Sequence, residues 1–401
     1  MLEALINHSG DLKKLQDEGF VMEVRDGWLV IHHVPYVNTM REIKEGTLTM
    51  VLCTRGMKTE KPNDHIAQWV GEWPCDVAGN KLPSLVNPNL KTGHCPKYVP
   101  SYYLSCHPEA KEYPPNGDYP TYYEKVETYF GLIAGPAFNM DKDCWNRINK
   151  PIVIQTVDSP LEYMDTNASK AGITQLNDVF RNLKVAIIGL GGTGSYLLDM
   201  IAKTAVQEIH LFDADVFNTH NAFRAPGAPS VDVLTEAPRK VDYFAKLYSK
   251  MHKNIIPHCE MVSDSNLPKL DSMDYVFFSL DKVAPKKLIA NHLISQGIPF
   301  IDSGMGVDLQ SDCKLSGLIH VTVGTRLKYD HLSDVFGDEA ADDDLYSTDI
   351  QIAELNALAA SLSIIKWKKL LGFYADTEQE YLSVYGINDN DIENENETKK
   401  V

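Results

Sequence analysis

Three glycines in the middle of the chain have the spacing G-x-G-x-x-G: Gly189, Gly191 and Gly194. In such a segment the first glycine permits a sharp turn, the second lets the backbone approach a phosphate, and the third lets a helix pack on its strand. Together with Gly192 and Thr193, the segment would direct the backbone N–H groups of a helix start toward an anion. Glycine spacing alone is weak evidence, so the residues that follow decide what the site binds.

Polar residues downstream of the glycines suit a triphosphate with its metal better than a dinucleotide. Asp213 closes the next apolar run, about where related folds hold a ribose hydroxyl. It is followed by Asp215, Asn221, Arg224, Lys240 and Asp281. Arginine offers phosphate a planar fork and lysine a point charge, whereas an aspartate at a strand end can hold Mg²⁺. Lys240 falls in the first turn of a predicted helix, where the helix dipole disfavours a cation unless an anion is nearby.

The elements that would position these residues alternate between strand and helix. Short apolar runs predict buried parallel strands, and apolar residues at helical intervals predict the helices between them. The predicted strands are residues 185–188, 209–212, 254–262, 275–280 and 300–302, with an antiparallel strand at 315–323. The predicted helices are 195–205, 239–248, 285–296 and 350–371, and a turn is predicted at 303–306. This order predicts an α/β fold with a Rossmann-like, mixed and mostly parallel sheet.

The motifs together resemble the adenylation domain of the ThiF and MoeB-like branch of the ubiquitin-activating enzyme superfamily. The shared pattern is G-x-G-G-x-G, D-x-D-x-V, N-x-x-R, a downstream lysine and an aspartate that closes a later strand, over roughly residues 170–375. The resemblance implies that the domain binds ATP and Mg²⁺. It assigns the segment from Gly189 to Gly194 to the nucleotide, Asp213 to the ribose, Asn221, Arg224 and Lys240 to the phosphates, and Asp281 to the magnesium. Asp215 would serve the ribose, the metal or the loop.

The resemblance also implies a reaction. The C-terminal carboxylate of a ubiquitin-like protein would attack the α-phosphorus of ATP, giving an acyl-adenylate and pyrophosphate, with Arg224, Lys240 and Asp281 as catalytic residues. The enzyme would be a homodimer, as relatives usually are. Lys282 stands where the family often has asparagine. Arg181 is either the arginine that relatives lend to a neighbouring subunit or a residue that merely flanks the first strand.

Two features of the resemblance concern cysteines. The C-x-x-C pairs that hold zinc in many relatives are absent, so no structural zinc is expected. Whether a thioester follows adenylation stays open, because Cys259 and Cys313 are predicted to be small buried side chains and not nucleophiles.

Three functions are compatible with these residues. The first is adenylation of a ubiquitin-like protein, with small-molecule adenylation as a variant. The second is an NAD(P)-dependent oxidoreductase that uses the same glycine turn, but it gives no role to Arg224, Lys240 or Asp281. The third is a non-catalytic scaffold with a degenerate nucleotide pocket.

Residues 1–165 are predicted to form a smaller α+β domain with long loops. Helices are predicted at 2–18 and 124–135, a hairpin within 20–37 around Asp26-Gly27, and strands at 46–53 and 65–72. This domain would recognise the partner, which is either the ubiquitin-like protein or a conjugating enzyme. Trp69-x-Gly71 and Cys106-His107-Pro108 resemble parts of a conjugating enzyme, although their order differs.

Cysteines and histidines cluster in this N-terminal region: Cys53, Cys75, Cys95 and Cys106, with His65, His94 and His107. A metal site is conceivable from these residue types. The C-x-x-C spacing of a structural zinc site is missing, so buried or loop thiols and surface histidines are favoured.

Composition sets the remaining expectations. The chain has 401 residues and a net charge of −17, which predicts two domains and argues against non-specific binding of nucleic acid. An apolar run of membrane-spanning length and a signal peptide are both missing, and seven scattered cysteines make no disulfide framework, so a cytoplasmic protein is expected. We expect the adenylation domain at residues 166–376, an exposed acidic loop at 330–344, and an acidic, disordered tail at 377–401.

Overall fold

The computed structural model describes residues 2–89, 92–107, 119–145, 159–336 and 350–395. The chain divides into two compact units, one of Met1–Ser159 with Tyr163–Asp178 and one of Pro160–Glu162 with Val179–Val401. Most of the predicted acidic loop, from residue 337 to 344, lies outside the described residues.

The first unit contains a five-stranded antiparallel sheet in the order β1-β2-β3-β6-β7. Asp26 and Gly27 both have positive φ, 51° and 77°, which gives the tight turn that joins β1 to β2, as predicted. The strands are β1 (Val21–Arg25), β2 (Trp28–Val37), β3 (Ile43–Val51), β4 (Thr54–Arg55), β5 (Lys58–Thr59), β6 (Ile66–Val70) and β7 (Tyr102–Ser105). Strands β4 and β5 pair with each other in a separate two-stranded sheet.

The described residues of the first unit also form helices, and the longest packs on the sheet. They are α1 (Leu2–His8), α2 (Gly10–Asp17), α3 (Tyr122–Met140) and α4 (Thr166–Ala171). The Thr121 side chain caps α3 by accepting from the Glu124 N–H. Tyr122, Val126 and Tyr129 are buried on one face of α3, in one hydrophobic cluster with side chains of the sheet. The predicted α+β domain is therefore confirmed.

Helix α4 belongs to the first unit, although its residues follow the predicted boundary at residue 165. An added Cβ at Gly27 would lie 2.5 Å from the Ser169 Oγ, so the hairpin turn and α4 are in close contact. The Trp28 Nε1–H also donates to the Thr174 Oγ1 at 3.4 Å. These contacts keep residues 163–178 with the sheet of the first unit.

The second unit is built on an eight-stranded sheet in the order β10-β9-β8-β11-β12-β13-β14-β15. The first five strands are parallel and the last three are antiparallel. The strands are β8 (Lys184–Ile188), β9 (Glu208–Phe212), β10 (Ile255–His258), β11 (Tyr275–Phe278), β12 (Phe300–Leu309), β13 (Leu315–Gly324), β14 (Leu382–Gly386) and β15 (Ile392–Glu395). This is the Rossmann-like, mostly parallel sheet that the sequence predicts.

Helices cover both faces of the parallel strands. The helices of the second unit are α5 (Gly192–Ile201), α6 (Thr219–Ala222), α7 (Val231–Glu236), α8 (Lys240–Tyr248), α9 (Val283–Gln296), α10 (Leu332–Val335) and α11 (Ala353–Leu370), with a 3₁₀ turn at Leu267–Leu270. Another 3₁₀ turn, Thr174–Phe180, begins in the first unit and ends in the second. Val185 and Ile187 of β8 pack in the cluster that contains Trp367 of α11. Ala186 packs in the cluster that contains Ile289 of α9, because successive side chains of a strand point to opposite faces. Within the described ranges, no helix is long and apolar enough to cross a membrane.

The structure corrects three expectations in the second unit. Residues 303–306 continue β12 and do not form a turn, because β12 pairs with β13 in an uninterrupted register from Phe300–Gly324 to Leu309–Leu315. Residues 382–386 and 392–395 form β14 and β15, so this part of the predicted disordered tail is ordered: β14 pairs with β13, and β15 pairs with β14. Cys259 and Cys313 are exposed and not buried, since one follows the short β10 and the other lies between β12 and β13.

Truncation of Leu211 in β9 should destabilise the second unit, because the side chain is fully buried. We expect Leu211→Ala to lower the free energy of unfolding by about 2–5 kcal/mol. Leu327→Ala is the matched control, since Leu327 is 83% exposed, and it should change stability by less than about 0.5 kcal/mol. Chemical denaturation followed by tryptophan fluorescence measures both changes; equal effects would contradict the assigned core.

Glu23 of β1 should make the first unit sensitive to acid. Burial alone would raise the pKa of its carboxyl, but hydrogen bonds from His32, Tyr98 and Arg25 lower that pKa from 4.5 to about 2. A lowered pKa stabilises the fold above the unfolded value, and this contribution disappears as pH falls from about 4.5 toward 2. We expect Glu23→Gln to be less stable than the wild type at pH 7 and the difference to shrink on acidification, measured by denaturation across pH. A difference independent of pH would rule out this account.

Candidate functional site

A cavity of about 450 Å³ opens at the carboxyl ends of the parallel strands of the second unit. It lies where the strand order reverses between β8 and β11, which is where open α/β sheets bind ligands. Most of the residues predicted from the sequence line it: Gly189, Gly191, Gly192, Thr193, Asp213, Asp215, Arg224, Lys240 and Asp281. Gly194 and Asn221 are the two predicted residues that are not part of the lining.

The turn between β8 and α5 can form only because its glycines have no side chains. Gly189 has a φ of +86°, and an added Cβ would lie 2.8 Å from the Ser279 carbonyl oxygen. An added Cβ at Gly194 would lie 1.8 Å from the Gly189 carbonyl oxygen, so this glycine lets α5 pack against its own turn. Gly191, at the N-terminus of α5, faces open space. A ligand can therefore approach the backbone there, as the spacing predicts.

Asp213 braces this turn from the end of β9. Its Oδ2 accepts from the Leu190 N–H at 2.7 Å, and its Oδ1 accepts from the Asp215 N–H at 2.8 Å. The Lys240 Nζ lies 3.5 Å from Oδ2. A carboxylate has about four acceptor positions, so these bonds leave Asp213 capacity for a ligand hydroxyl. The bracing role was not predicted from the sequence.

Lys240 begins α8 and is almost completely buried. Its Nζ donates to the Asp215 Oδ2 at 2.8 Å, and its backbone N–H donates to the Asp215 carbonyl at 2.9 Å. The sequence predicts that a lysine at a helix start needs a nearby anion. Asp215 of the same chain, whose side chain is exposed, supplies that anion. The same ammonium lines the cavity and can also face a bound anion.

Three further predicted residues differ in their surroundings. Arg224 is half-buried on the cavity wall, and its Nε is buried with no hydrogen-bond partner in the structure. The Asn221 side chain accepts from the Asn218 N–H at 2.9 Å and closes the capping box of α6, so its oxygen already has a structural partner. Asp281 is exposed on the cavity wall beyond the end of β11.

The residues present fit Mg²⁺ only in its usual nucleotide-bound form. Among the described residues, no group of three or more histidine, cysteine or acidic side chains could hold a metal. Mg²⁺ is commonly held by one or two carboxylates together with substrate phosphates. Asp281 could supply such a carboxylate to a metal that arrives with a nucleotide.

Asn356 of α11 is a cavity residue that was not predicted from the sequence. Its Oδ1 accepts from the Thr193 Oγ1–H at 2.9 Å, and its Nδ2 donates to the Ile352 carbonyl. An added Cβ at Gly192 would lie 2.2 Å from this side chain, so α11 closes directly over the glycine turn. A polar residue within the apolar stretch of α11 was the available signal.

A second group missed from the sequence lies on the β12–β13 side of the cavity. Asp302 of β12 is fully buried, and its Oδ2 accepts from the Lys286 Nζ at 3.1 Å. The His320 Nε2 lies 3.5 Å from the same oxygen. Burial opposes ionisation of Asp302, but Lys286 and His320 lower the pKa of its carboxyl below the ordinary value. Lys286 and His320 line the cavity, whereas Asp302 lies behind them.

The cysteines predicted to cluster in the first unit are free thiols, and most of them are buried. Cys53, Cys75 and Cys95 are buried, and burial raises the pKa of the Cys95 thiol to about 12. Cys106 is half-buried at the end of β7, and Pro108 lies outside the described residues. The favoured prediction of buried thiols is confirmed for the first three.

The bond between Thr193 and Asn356 should couple the two residues energetically. In a double-mutant cycle of Thr193→Val and Asn356→Ala, we expect a coupling free energy of about 0.5–3 kcal/mol, because each single change leaves a buried partner unsatisfied. Denaturation midpoints and slopes of the four proteins give this value. A cycle of Thr193→Val with Ser295→Ala is the control, since Ser295 shares no hydrogen bond with either residue. Equal coupling in both cycles would refute the assignment.

The N-terminal part of the chain matches a family model of its own. Residues 10–166 match a domain of unknown function (DUF6791). Over 141 residues the chain is 24% identical to tRNA threonylcarbamoyladenosine dehydratase of Escherichia coli strain K12, covering 31% of this chain and 47% of that protein. The chain thus spans about half the length of this curated relative.

Solved structures with a similar course of the chain include MccB of E. coli and PaaA. MccB with MccA-N7isoASN has a TM-score of 0.47 at 19% identity, over 59% of this chain and 70% of that chain. MccB with ATP has a TM-score of 0.46 at 19% identity, over the same shares. PaaA has a TM-score of 0.46 at 14% identity, over 77% of this chain and 95% of that chain.

The decisive match is to residues 166–379, which hold the whole cavity and make up more than half of the 401 residues. These residues match the ThiF family, the resemblance that the glycine, aspartate and N-x-x-R motifs predict. The chain belongs to the ThiF family and carries an N-terminal domain of unknown function.

Proposed function

We propose that the chain uses ATP to adenylate a substrate carboxylate, releasing pyrophosphate. The observation that carries this proposal is that one cavity unites the glycine turn, Asp213, two cations and Asp281. Glycine N–H groups, a ribose-side carboxylate, phosphate-side cations and a metal-side carboxylate are the parts that a nucleoside triphosphate requires. A dinucleotide would leave Arg224 and Lys240 without a role.

The residues would act by neutralising and aligning charge. Backbone N–H groups at Gly191 and Gly192 would face the phosphates, with Asp213 near the ribose. Arg224 and Lys240 would hold the leaving pyrophosphate as negative charge develops on it. Asp281 would hold Mg²⁺, which when bound neutralises phosphate charge.

The reaction itself is a displacement at the α-phosphorus. A carboxylate oxygen of the substrate forms a bond to phosphorus, and the bond from phosphorus to the bridging oxygen of the pyrophosphate breaks. The electron pair of that bond leaves with pyrophosphate, and the product is a mixed anhydride of the acyl group with AMP. No proton has to move, so alignment and electrostatics can supply the catalysis.

We propose as substrate the C-terminal carboxylate of a ubiquitin-like protein, on the strength of the motif resemblance. The first unit would recognise that protein or a conjugating enzyme, and the active form would be a cytoplasmic homodimer. A net charge of −17 suits a basic protein partner and disfavours nucleic acid. The alternative substrate is a carboxylate that does not belong to a protein, because one relative is named as a dehydratase of a modified tRNA nucleoside.

ATP–pyrophosphate exchange tests this proposal directly. Wild-type protein should exchange labelled pyrophosphate into ATP only when ubiquitin-like proteins ending in glycine, or another carboxylate substrate, are added. Asp281→Asn and Arg224→Gln should lower the exchange rate by about 100-fold or more, because each removes a charge that stabilises the transition state. Asp271→Asn is the matched control, since Asp271 is exposed and outside the cavity lining, and it should exchange like the wild type.

Other outcomes would select another function. Tight ATP binding without exchange for any carboxylate would point to a nucleotide-binding scaffold. Binding of NAD in preference to ATP would establish the oxidoreductase instead.

A further inference from the structure

The order of groups along the cavity gives a bound nucleotide a direction. Asp213 follows β9, the glycine turn follows β8, and Asp281 follows β11. Strands β12 and β13 lie beyond β11 on the side away from β9. A nucleotide with its ribose near Asp213 and its phosphates at the glycine turn therefore presents one side of the α-phosphorus to β12 and β13.

The leaving group and the attacking group lie on opposite sides of a phosphorus that undergoes in-line displacement. The Lys240 Nζ lies 3.5 Å from the Asp213 Oδ2, on the ribose side of the glycine turn, and Arg224, from the segment between β9 and Lys240, lines the same cavity. If these cations hold the pyrophosphate, the attacking carboxylate enters from the side of β12 and β13. The groups on that wall are Lys286, Gly304, Met305 and His320.

Lys286 and His320 are arranged to meet an anion. Both face the cavity, and both approach the same oxygen of the fully buried Asp302, at 3.1 and 3.5 Å. Lys286 neutralises Asp302, so the carboxylate behind the wall does not repel an incoming anion. The imidazolium form of His320 donates its Nε2–H to Asp302 and has its Nδ1–H left for a second acceptor. An ammonium has three donors, so Lys286 also keeps donors for a ligand.

We propose that Lys286 and His320 form the subsite for the acyl group of the substrate, with Asp302 as the residue that positions them. This inference rests on the proposed function, since it takes the ligand to be the carboxylate that is adenylated. Lys286 and His320 bind its oxygens before the attack, and the remaining acyl oxygen stays with them in the acyl-adenylate.

Gly304 is part of the same arrangement. It pairs with His320 across β12 and β13, and an added Cβ would lie 2.5 Å from the His320 Cε1. The imidazole therefore packs on the backbone of Gly304, where no side chain competes for the space. Gly304→Ala should displace the His320 ring without removing it. This variant therefore tests whether the position of the imidazole matters, whereas a substitution of His320 tests whether the imidazole is needed at all.

The test compares two ligands that differ only in the acyl group: 5′-O-sulfamoyladenosine and its N-glycyl derivative, a stable mimic of an acyl-adenylate. Isothermal titration calorimetry measures their dissociation constants, and that of ATP, for the wild type, His320→Gln, Gly304→Ala and Asp302→Asn. We expect His320→Gln and Gly304→Ala to raise the dissociation constant of the glycyl compound by about tenfold, which is the usual effect of losing one charge-assisted hydrogen bond. The affinities for ATP and for the compound without glycine should stay within about twofold, because those ligands do not reach β13.

The variants have matched controls. Asp302→Asn leaves Lys286 buried without its partner and can impair folding, so its result is read only if the circular dichroism and melting temperature resemble those of the wild type. His292→Gln makes the same chemical change on the same helix as Lys286, but His292 pairs with Asp271 outside the cavity lining. It should bind all three ligands like the wild type.

Each outcome decides the proposal. An equal loss for both sulfamoyl compounds, or a loss of ATP affinity as large as that for the glycyl compound, would assign the cluster to the nucleotide and overturn the acyl subsite. Unchanged affinities in His320→Gln and Gly304→Ala would also overturn it. Failure of the wild type to bind ATP or either sulfamoyl compound would instead refute the proposed function.

Discussion

Two backbone N–H groups converge on the carboxylate of Asp213, and the geometry of the cavity depends on them. One belongs to Leu190 in the glycine turn, and the other belongs to Asp215 in the loop after β9. By accepting from both, Asp213 joins the carboxyl ends of two neighbouring parallel strands. The turn that would face the phosphates and the loop that holds Lys240 are therefore fixed by one buried side chain. Loss of either bond would leave a buried polar group unsatisfied, which typically costs about 1–3 kcal/mol.

The same electrostatic arrangement occurs twice along the edge of the sheet. Lys240 lies in the first turn of α8 and Lys286 in the first turn of α9, where the helix dipole disfavours a cation. Both side chains are buried, and each is paired with an aspartate, Asp215 or Asp302. The exposed Asp215 and the buried Asp302 thus offset the charges of two ammonium groups at the cavity wall. Such pairs favour an anionic ligand, which can share the ammonium donors that the aspartates leave unused.

The first unit uses buried tyrosines to order its long loops. The Tyr122 hydroxyl accepts from the Cys53 N–H and donates to the Val51 carbonyl, while the Tyr129 hydroxyl accepts from the Cys106 N–H and donates to the His65 carbonyl. Both tyrosines come from α3, so one helix supplies hydrogen bonds to backbone groups at the ends of three different strands. A rigid helix with buried tyrosines can therefore hold the ends of strands whose connecting loops have no regular sequence pattern.

The sequence by itself determined the class of the second unit and most of its cavity. Apolar runs buried on both faces specify parallel strands, and the glycine turn can form only where Cβ atoms are absent, as Gly189 and Gly194 show. These requirements concern residues that are close together in the chain, so they can be recognised in the sequence. The residues from Gly189 to Thr193, with Asp213, Arg224, Lys240 and Asp281, could therefore be predicted to share one site from their motifs and the family resemblance that these motifs carry.

Only the tertiary structure decided what depends on contacts between distant parts of the chain. Asn356 reaches Thr193 across 163 positions, and Lys286 of α9 and His320 of β13 both approach the Asp302 carboxylate of β12 only in the folded sheet. Asn221 has the spacing of a ligand residue, yet its side chain caps its own helix. Strand β14 forms because β13 offers it an edge, and the acidic β15 in turn pairs with β14. The topology of the first unit follows the same rule, since hydrogen bonds such as that from the Cys53 N–H to Tyr122, 69 positions away, leave no periodic pattern in the sequence.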